Sequence, residues 1–486
     1  MSEIVIHDLS FTYEGSYEPV FDHLNLRLDS DWKLGLIGRN GRGKTTLLKL
    51  MMHEYPYTGS IQSVCRFEYF PYEVKDTEDL SIHIVNEIAP SAEQWEMERE
   101  LSLLKADDSI LWMPFSSLSG GEQTKVLLAA MFLKENAFLL IDEPTNHLDE
   151  TGRAAAAAYL NRKKGFILVS HDRAFLDACT DHTMAMNKTG IEVMQGSYSI
   201  WRKEKTARDQ LEIKQNARLH SEIRRLEEGQ QRTAKWSDQV EKSKIGAGDK
   251  GYVGHMAAKM MQRSKNIERR RKNATTEKEG LLKDIEESES LKLIQPAWHS
   301  SVMVYAQHLS LYYGEVCIKE DLNFSIHPGD RIQLYGKNGC GKTTLLKLMN
   351  GQDIRTEGTI HLGAGLKCSM IFQDSSFMQG NLRSYADHLK IDISLFLAIL
   401  RKLGFSREQF DRPLEECSEG QKKKVQLAGS LSQSAHLLLW DEPMNYLDIE
   451  SREQIEDLIL TWSPTIIFAE HDQYFSEKIR TGIIRF

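Results

Sequence analysis

A sixteen-residue stretch is written twice in this chain: residues 36–51 read LIGRNGRGKTTLLKLM and residues 334–349 read LYGKNGCGKTTLLKLM. The displacement persists far beyond the stretch itself. Lys44 and Lys342 are 298 residues apart, Ser119 and Ser418 are 299, Asp142 and Asp441 are 299, and His171 and His471 are 300. So steady an offset means two homologous domains, neither with a large insertion that the other lacks. For 486 residues roughly three units are expected rather than a single core. The repeat assigns 1–200 to the first domain and 299–486 to the second, and leaves 201–298 between them.

The intervening segment is of another kind. Residues 202–290 hold 22 Lys plus Arg against 16 Asp plus Glu, whereas the whole chain has a net charge of −9. A basic element is mounted on an acidic body. Met260, Ile267, Ala274 and Leu281 recur every seven residues, and Leu219, Ile223 and Leu226 give the matching three-and-four pattern upstream. Two long helices follow. Four glycines in residues 245–254 break the pattern and predict a reversal, with the tip near 245–256. The expected element is an antiparallel helical hairpin whose arms, about forty residues each at about 1.5 Å per residue, reach roughly 60 Å.

Residues 242–272 concentrate ten basic residues against Asp249 and Glu268. Lys242, Lys244, Lys250, Lys259, Arg263, Lys265, Arg269 and Arg270 on a rigid support suit a polyanion, with affinity that falls as salt rises. Tyr252, Val253 and Met256 at the turn either stack or wedge against a partner, or are buried between the two arms. A plain spacer needs neither a reversal nor this charge.

Both copies satisfy G-x-x-x-x-G-K-[ST] between a strand-like apolar run and a helix-like one, the context that a phosphate-cradling loop requires. Gly38, Asn40, Gly41, Gly43, Lys44, Thr45 and Thr46 make the first loop, and Gly336, Asn338, Gly339, Gly341, Lys342, Thr343 and Thr344 the second. Glycines let backbone amides converge on phosphate oxygens, lysine reaches the terminal phosphates, and Thr45 or Thr343 can ligate magnesium. Later in each copy an apolar strand ends in two acids, Asp142-Glu143 and Asp441-Glu442. The aspartate is placed for the metal and the glutamate to polarise an attacking water.

Leu118-Ser-Gly-Gly-Glu-Gln123 and Cys417-Ser-Glu-Gly-Gln421, just upstream of the acidic strands, resemble the signature of ATP-binding-cassette ATPases. The resemblance implies an α/β fold with two tandem ATP-binding-cassette domains joined by the hairpin, and hydrolysis of ATP with Mg2+ as cofactor. It implies composite sites, in which Lys44, Asp142, Glu143 and His171 face Ser418 and Gly420, while Lys342, Asp441, Glu442 and His471 face Ser119 and Gly121. Leu148-Asp149 and Leu447-Asp448 match the family's D-loop, and His171 and His471 its switch histidine. Tyr13 and Tyr313 resemble the aromatic that stacks on adenine, or else pack in local cores. Gln373 fits the Q-loop, a metal-contacting position, but Tyr72 stands at its counterpart. A phenol cannot reproduce a carboxamide's geometry, so the two sites are expected to hydrolyse at unequal rates.

Twin cassettes with a basic hairpin between them and no apolar membrane span look like the ABC-F subfamily, whose members bind ribosomes. Residues 73–116 are too short for the Arm insertion of many of its translation factors. The turn sequence and Phe468-Ala-Glu-His-Asp472 look like the Lsa and Vga antibiotic-resistance groups, which act on lincosamides, pleuromutilins and group A streptogramins; the C-terminal extension of some of them is not expected. The resemblance implies a monomer with an intramolecular cassette pair that enters the ribosomal E site with ATP bound. Its hairpin would touch large-subunit RNA and P-site tRNA near the peptidyl transferase centre. Six scattered cysteines without a C-x-x-C pair, and a start without a signal peptide, fit a cytoplasmic protein with no disulfide framework, zinc site or membrane subunit. Two further readings fit the same residues: a translation factor that resolves stalled ribosomes, and the soluble ATPase of a transporter or DNA-repair machine.

Overall fold

The computed structural model describes residues 3–15, 18–146, 148–187, 190–242, 291, 293, 295–337 and 339–486. Each repeat builds a central sheet from apolar runs. In the first, Arg66–Phe70, Ala137–Asp142, Phe166–Val169, Lys33–Gly38, His182–Asn187 and Gly190–Gln195 lie side by side in that order, all pairs parallel except the last. In the second, the order is Cys368–Ile371, Leu437–Asp441, Ile466–Ala469, Arg331–Tyr335 and Gly482–Arg485, all parallel. Parallel strands covered on both faces need side chains that tolerate burial on each. Phe138 to Ile141 and Leu437 to Trp440 meet that need, every one of them buried.

A three-stranded antiparallel sheet accompanies each: Phe21–Asp29, Glu3–Phe11 and Thr58–Gln62 in the first repeat, Val316–Ile326, Val304–Tyr313 and Thr356–Leu362 in the second. The parallel order sends every central strand except Gly190–Gln195 out at the same edge. That edge therefore collects the phosphate loop, the acidic pair and the histidine of each copy, as ligand crevices of open α/β sheets do.

The chain divides into two compact units, residues 1–199 with 288–486, and residues 200–287. Leu291 and Leu293 are buried in the same apolar cluster as Phe396 and Trp440, so the packed body of the second repeat begins before residue 299. The helix Tyr198–Lys242 runs 45 residues without interruption, about 68 Å at 1.5 Å per residue. It starts three residues before the boundary read from the repeat and ends at Lys242. The reversal, the second arm and the residues Lys244, Lys250, Tyr252, Val253, Met256, Lys259, Arg263, Lys265, Arg269 and Arg270 lie outside the described residues, as does Asn338. Among the described residues no helix is long and apolar enough to cross a membrane.

Candidate active sites

The first phosphate loop, here site A, closes at Gly43 with φ +95°, where a Cβ would stand 2.7 Å from Val20 Cγ1; only glycine fits. The helix Lys44–Met51 then begins with no side-chain cap, which leaves its first amides free for an anion. Site B repeats this at Gly341 and the uncapped helix Lys342–Met349. Gly41 and Gly339 turn with φ +83° and +78°. The Lys44 ammonium folds back on its own loop, donating to the carbonyls of Gly38 at 2.7 Å and Arg39 at 3.2 Å and to Asn40 Oδ1 at 3.3 Å. Lys342 does the same with Gly336 at 2.7 Å and Lys337 at 3.0 Å. Burial pushes Lys44 below the ordinary lysine range.

Thr45 Oγ1 donates to Asp142 Oδ2 at 2.9 Å, and Thr343 Oγ1 to Asp441 Oδ2 at 2.7 Å. One hydroxyl and one carboxylate do not cage a metal, and among the described residues no cluster of three or more His, Cys, Asp or Glu could hold one. That sparse donor set fits magnesium, which takes one or two protein ligands and draws the rest from water and phosphate. Burial, opposed by the Thr343 hydrogen bond, lifts Asp441 to about 6.

The neighbouring glutamates share a strained backbone, with φ +50° at Glu143 and +48° at Glu442, but differ in charge. Burial and then the Asp142 charge push Glu143 up to about 8. His171 Nε2 lies 3.5 Å from its Oε1 and is itself held well below the usual histidine range by burial and by Lys44. At Glu442 burial pushes the same way, yet His471 at 3.6 Å, Lys423 and Lys342 more than offset it and keep the carboxyl below its ordinary value. Site B thus carries an ionised base at neutral pH and site A a protonated one. Glu143 Oε1 and His471 Nε2 are buried without a hydrogen-bond partner, as groups awaiting a water or phosphate oxygen would be.

Gln373 donates to Glu442 Oε2 at 3.0 Å, beside Asn445 Nδ2 at 2.7 Å. The structure therefore sets it on the glutamate rather than on Asp441. Tyr72 turns elsewhere, its hydroxyl donating to Glu87 at 3.3 Å. The phenol that reaches site A is Tyr69, which sequence reasoning passed over: its hydroxyl donates to Asp142 Oδ2 at 2.9 Å. Strand alternation could have found it, because residue 69 shares a sheet face with the end of the acidic strand. Tyr13 donates to or accepts from Thr46 Oγ1 at 2.7 Å and packs edge-on against Phe11 and Tyr55. Tyr313 is 78% exposed, and Thr344 is partly buried. The adenine-facing candidates are therefore unlike, one tied into an aromatic cluster and the other open.

The signatures cap the helices Gly120–Phe132 and Glu419–Ser432 through reciprocal boxes, Ser119 with Glu122 and Ser418 with Gln421. Gly420 lies across from site A. A Cβ there would come 2.7 Å from the Tyr446 carbonyl and 3.4 Å from Asn40 Nδ2. Asn40 Nδ2 donates to that carbonyl at 3.1 Å, the Asn40 amide faces Asp448 Oδ2 at 3.4 Å, and Lys424 holds the same oxygen at 2.8 Å. Arg39 pairs with Glu450. The structure thus gathers the first loop, the second signature and the second D-loop. At site B, the D-loop residues Asp149 and Glu150 line a cavity of about 700 Å³ with Lys342, Cys340 and His471. Neither Ser119 nor Gly121 lines it. Glu470, where the first copy has Ser170, accepts the amides of Met444 at 3.0 Å and His471 at 2.8 Å.

Two phosphate loops, each with its acidic strand, signature and histidine on parallel sheets, define a tandem nucleotide hydrolase. The ABC transporter family matches residues 21–146 and 319–445, more than half of the chain, and the chain belongs to this family of ATP-binding cassettes. It is an ATPase. Over 496 residues it is 28% identical to the ribosome protection protein VmlR of Bacillus subtilis (strain 168), covering 98% of this chain and 86% of that protein. Over 482 residues it is 29% identical to the erythromycin resistance ATP-binding protein MsrA of Staphylococcus epidermidis, covering 92% and 90%. Among solved structures, an archaeal ribosome recycling factor aABCE1, in complex with the stalk protein aP1, superposes with a TM-score of 0.61 at 19% identity, covering 94% of this chain and 84% of that one.

Proposed function

We propose that this chain is an ABC-F ATPase that binds the ribosome with ATP and Mg2+ bound and protects the peptidyl transferase centre from antibiotics. The observation that carries the reading is the pairing of the first phosphate loop with the second signature and D-loop inside one chain, in a protein matched over almost its whole length by a ribosome protection protein. ATP completes such a composite site by bringing its phosphates between Lys44 and Ser418 and, in the other, between Lys342 and Ser119. Bound nucleotide favours the closed pair, and hydrolysis returns the open one, a population shift driven by differential affinity. Thr45 with Asp142, and Thr343 with Asp441, would hold the metal, which would supply charge neutralisation at the phosphates; Glu442, and Glu143 once it is deprotonated, take the proton of the attacking water, and His171 and His471 orient the terminal phosphate.

On this reading the closed monomer occupies the E site, and the hairpin reaches towards the peptidyl transferase centre past the P-site tRNA. Its lysines and arginines meet RNA backbone, and Tyr252, Val253 and Met256 lead at the tip. Lincosamides, pleuromutilins and group A streptogramins are displaced through the tRNA. The protein works in the cytoplasm without a membrane subunit.

The test expresses the wild type and the Glu143→Gln, Glu442→Gln double variant in a susceptible bacterium. Wild type should raise the inhibitory concentration of at least one of these drug classes, and the variant should co-sediment with ribosomes in the presence of ATP. Unchanged potency of every drug removes the protection reading; absence of co-sedimentation removes the ribosome.

A further inference from the structure

The two sites differ in what stands behind the metal carboxylate. Phe70 pairs with Ile141 and Ile371 with Trp440 in the parallel ladders, so Tyr69 and Met370 occupy equivalent places beside the acidic strands. The Tyr69 hydroxyl donates to Asp142 Oδ2 at 2.9 Å, the same oxygen that accepts from Thr45. Met370 has no proton to offer Asp441. A second exchange compensates on the signature helices. Thr124, in the first copy, turns its hydroxyl back onto the Gly120 carbonyl of its own helix at 2.9 Å. Its counterpart Lys423, 3% exposed, drives its ammonium between the ends of two strands, 2.8 Å from the Phe372 carbonyl, 3.4 Å from that of Asp441 and 3.5 Å from that of Gln373. Site B fixes its strand ends through backbone carbonyls, and the Asp441 carboxylate accepts one hydroxyl proton, from Thr343, with the Lys423 and Lys342 charges nearby. Site A grips the carboxylate itself.

We propose that Tyr69 is a positioning residue that competes with the divalent cation for Asp142, and that Lys423 takes over the structural part of this task in site B, so that site A binds its metal more weakly. The inference rests on Asp142 and Asp441 being the metal carboxylates. A carboxylate oxygen that already accepts two hydroxyl protons has less charge and fewer lone pairs to offer a cation or its water. Hydrogen bonds to charged groups are strong enough to shift an equilibrium on the order of tenfold.

The probe is Mn2+ with ATP, followed by electron paramagnetic resonance at equilibrium in the full chain carrying Glu143→Gln and Glu442→Gln, which keeps the nucleotide intact. Two Mn2+ classes about tenfold apart in affinity are expected. Adding Tyr69→Phe should tighten the weaker class towards the stronger. Adding Lys423→Thr should loosen the stronger, and Lys423→Arg should restore it. An unchanged or weakened class on Tyr69→Phe overturns the proposal while leaving the carboxylate assignment intact. Two full-strength Mn2+ classes in an added Asp142→Asn variant overturn the assignment itself, and the proposal with it.

Discussion

The helix Ile449–Trp462 carries Glu450, Glu453 and Glu456 three residues apart, and all three are engaged: Glu450 by Arg39, Glu453 by the Tyr198 hydroxyl at 3.2 Å, Glu456 by Arg173. At the equivalent places of the helix Glu150–Asn161 stand Thr151, Ala154 and Ala157, which border a cavity of about 370 Å³. Arg173 itself has Gln473 as its counterpart. One half of the cassette interface is therefore latched by ion pairs and the other by hydrogen bonds alone, Gln473 to the Glu150 carboxylate and Arg153 to the His471 carbonyl at 3.4 Å. Arg173 and Glu456 are 3% and 0% exposed; the guanidinium also lies 3.7 Å from Asp472 and over the Tyr474 ring at 4.2 Å. Removing one partner of a buried pair costs about 3–5 kcal/mol. Lys478 remains 2.9 Å from Glu456, so Arg173→Gln belongs at the lower end, about 3 kcal/mol. If the pair forms only when the cassettes face each other, that is a little over a hundredfold in the closure equilibrium and, with two ATP molecules driving it, roughly tenfold more ATP for half-closure, read by energy transfer between dyes on the two cassettes. Adding Glu456→Ala removes the buried carboxylate left with Lys478 alone and should recover part of the loss. A shift under about threefold for Arg173→Gln, or an equally large one for Gln473→Ala, refutes the reasoning.

Other outcomes follow from the same geometry. Gly420→Ala forces a methyl group to within 2.7 Å of the Tyr446 carbonyl and should lower turnover at site A at least tenfold, measured in a Glu442→Gln background; undiminished turnover speaks against the close approach. Because Glu143 titrates near 8, the site A activity left in Glu442→Gln should climb as pH rises from 7 to 9, since only the ionised carboxylate accepts a proton. The site B activity of Glu143→Gln should already be flat there, because Glu442 is held below its ordinary value. Identical pH profiles would contradict the difference in burial and charge. Glu100, buried, is lowered because hydrogen bonds from Lys163 at 2.5 Å and Tyr159 at 2.6 Å outweigh its burial. Its contribution is present above the unfolded value near 4.5 and lost as pH falls through the lower folded one. Lys163→Met should cost about 1.5–3 kcal/mol in urea unfolding at pH 7 and progressively less towards pH 3.

The repeat, both phosphate loops and the acidic strands were legible because each depends on local chemistry: glycines where φ is positive, unbroken apolar runs where both faces are covered; the order of the strands in the central sheets was not. What escaped was set by distance across the fold. The spacing of Tyr69 from Asp142 does not by itself reveal a hydrogen bond, because strand pairing joins residues 73 apart; alternation points to Tyr69 only once the pairing of the two strands is known. Tyr72 drew attention instead, since alignment of the repeats compares positions in the chain and not the directions of side chains. The charge of Glu143 likewise depends on burial, which composition does not report.

Comparison of the copies goes further than either copy alone. A single cassette would show Lys423 as an odd buried cation and Ala157 as an ordinary helix residue. Set against Thr124 and Glu456, each becomes one arm of an exchange: a phenol on the carboxylate for an ammonium on the carbonyls, an alanine stripe for an acidic one. The differences fall on the same division. Site A has the latched contact, the metal carboxylate held by two hydroxyls and the protonated glutamate, whereas site B has the cavity, the carboxylate held by one hydroxyl and the ionised base. On the proposed clamp these differences predict that site A stays closed while site B turns over, so that Glu442→Gln slows opening more than Glu143→Gln and Arg173→Gln narrows the gap; equal opening rates for Glu143→Gln and Glu442→Gln would contradict it.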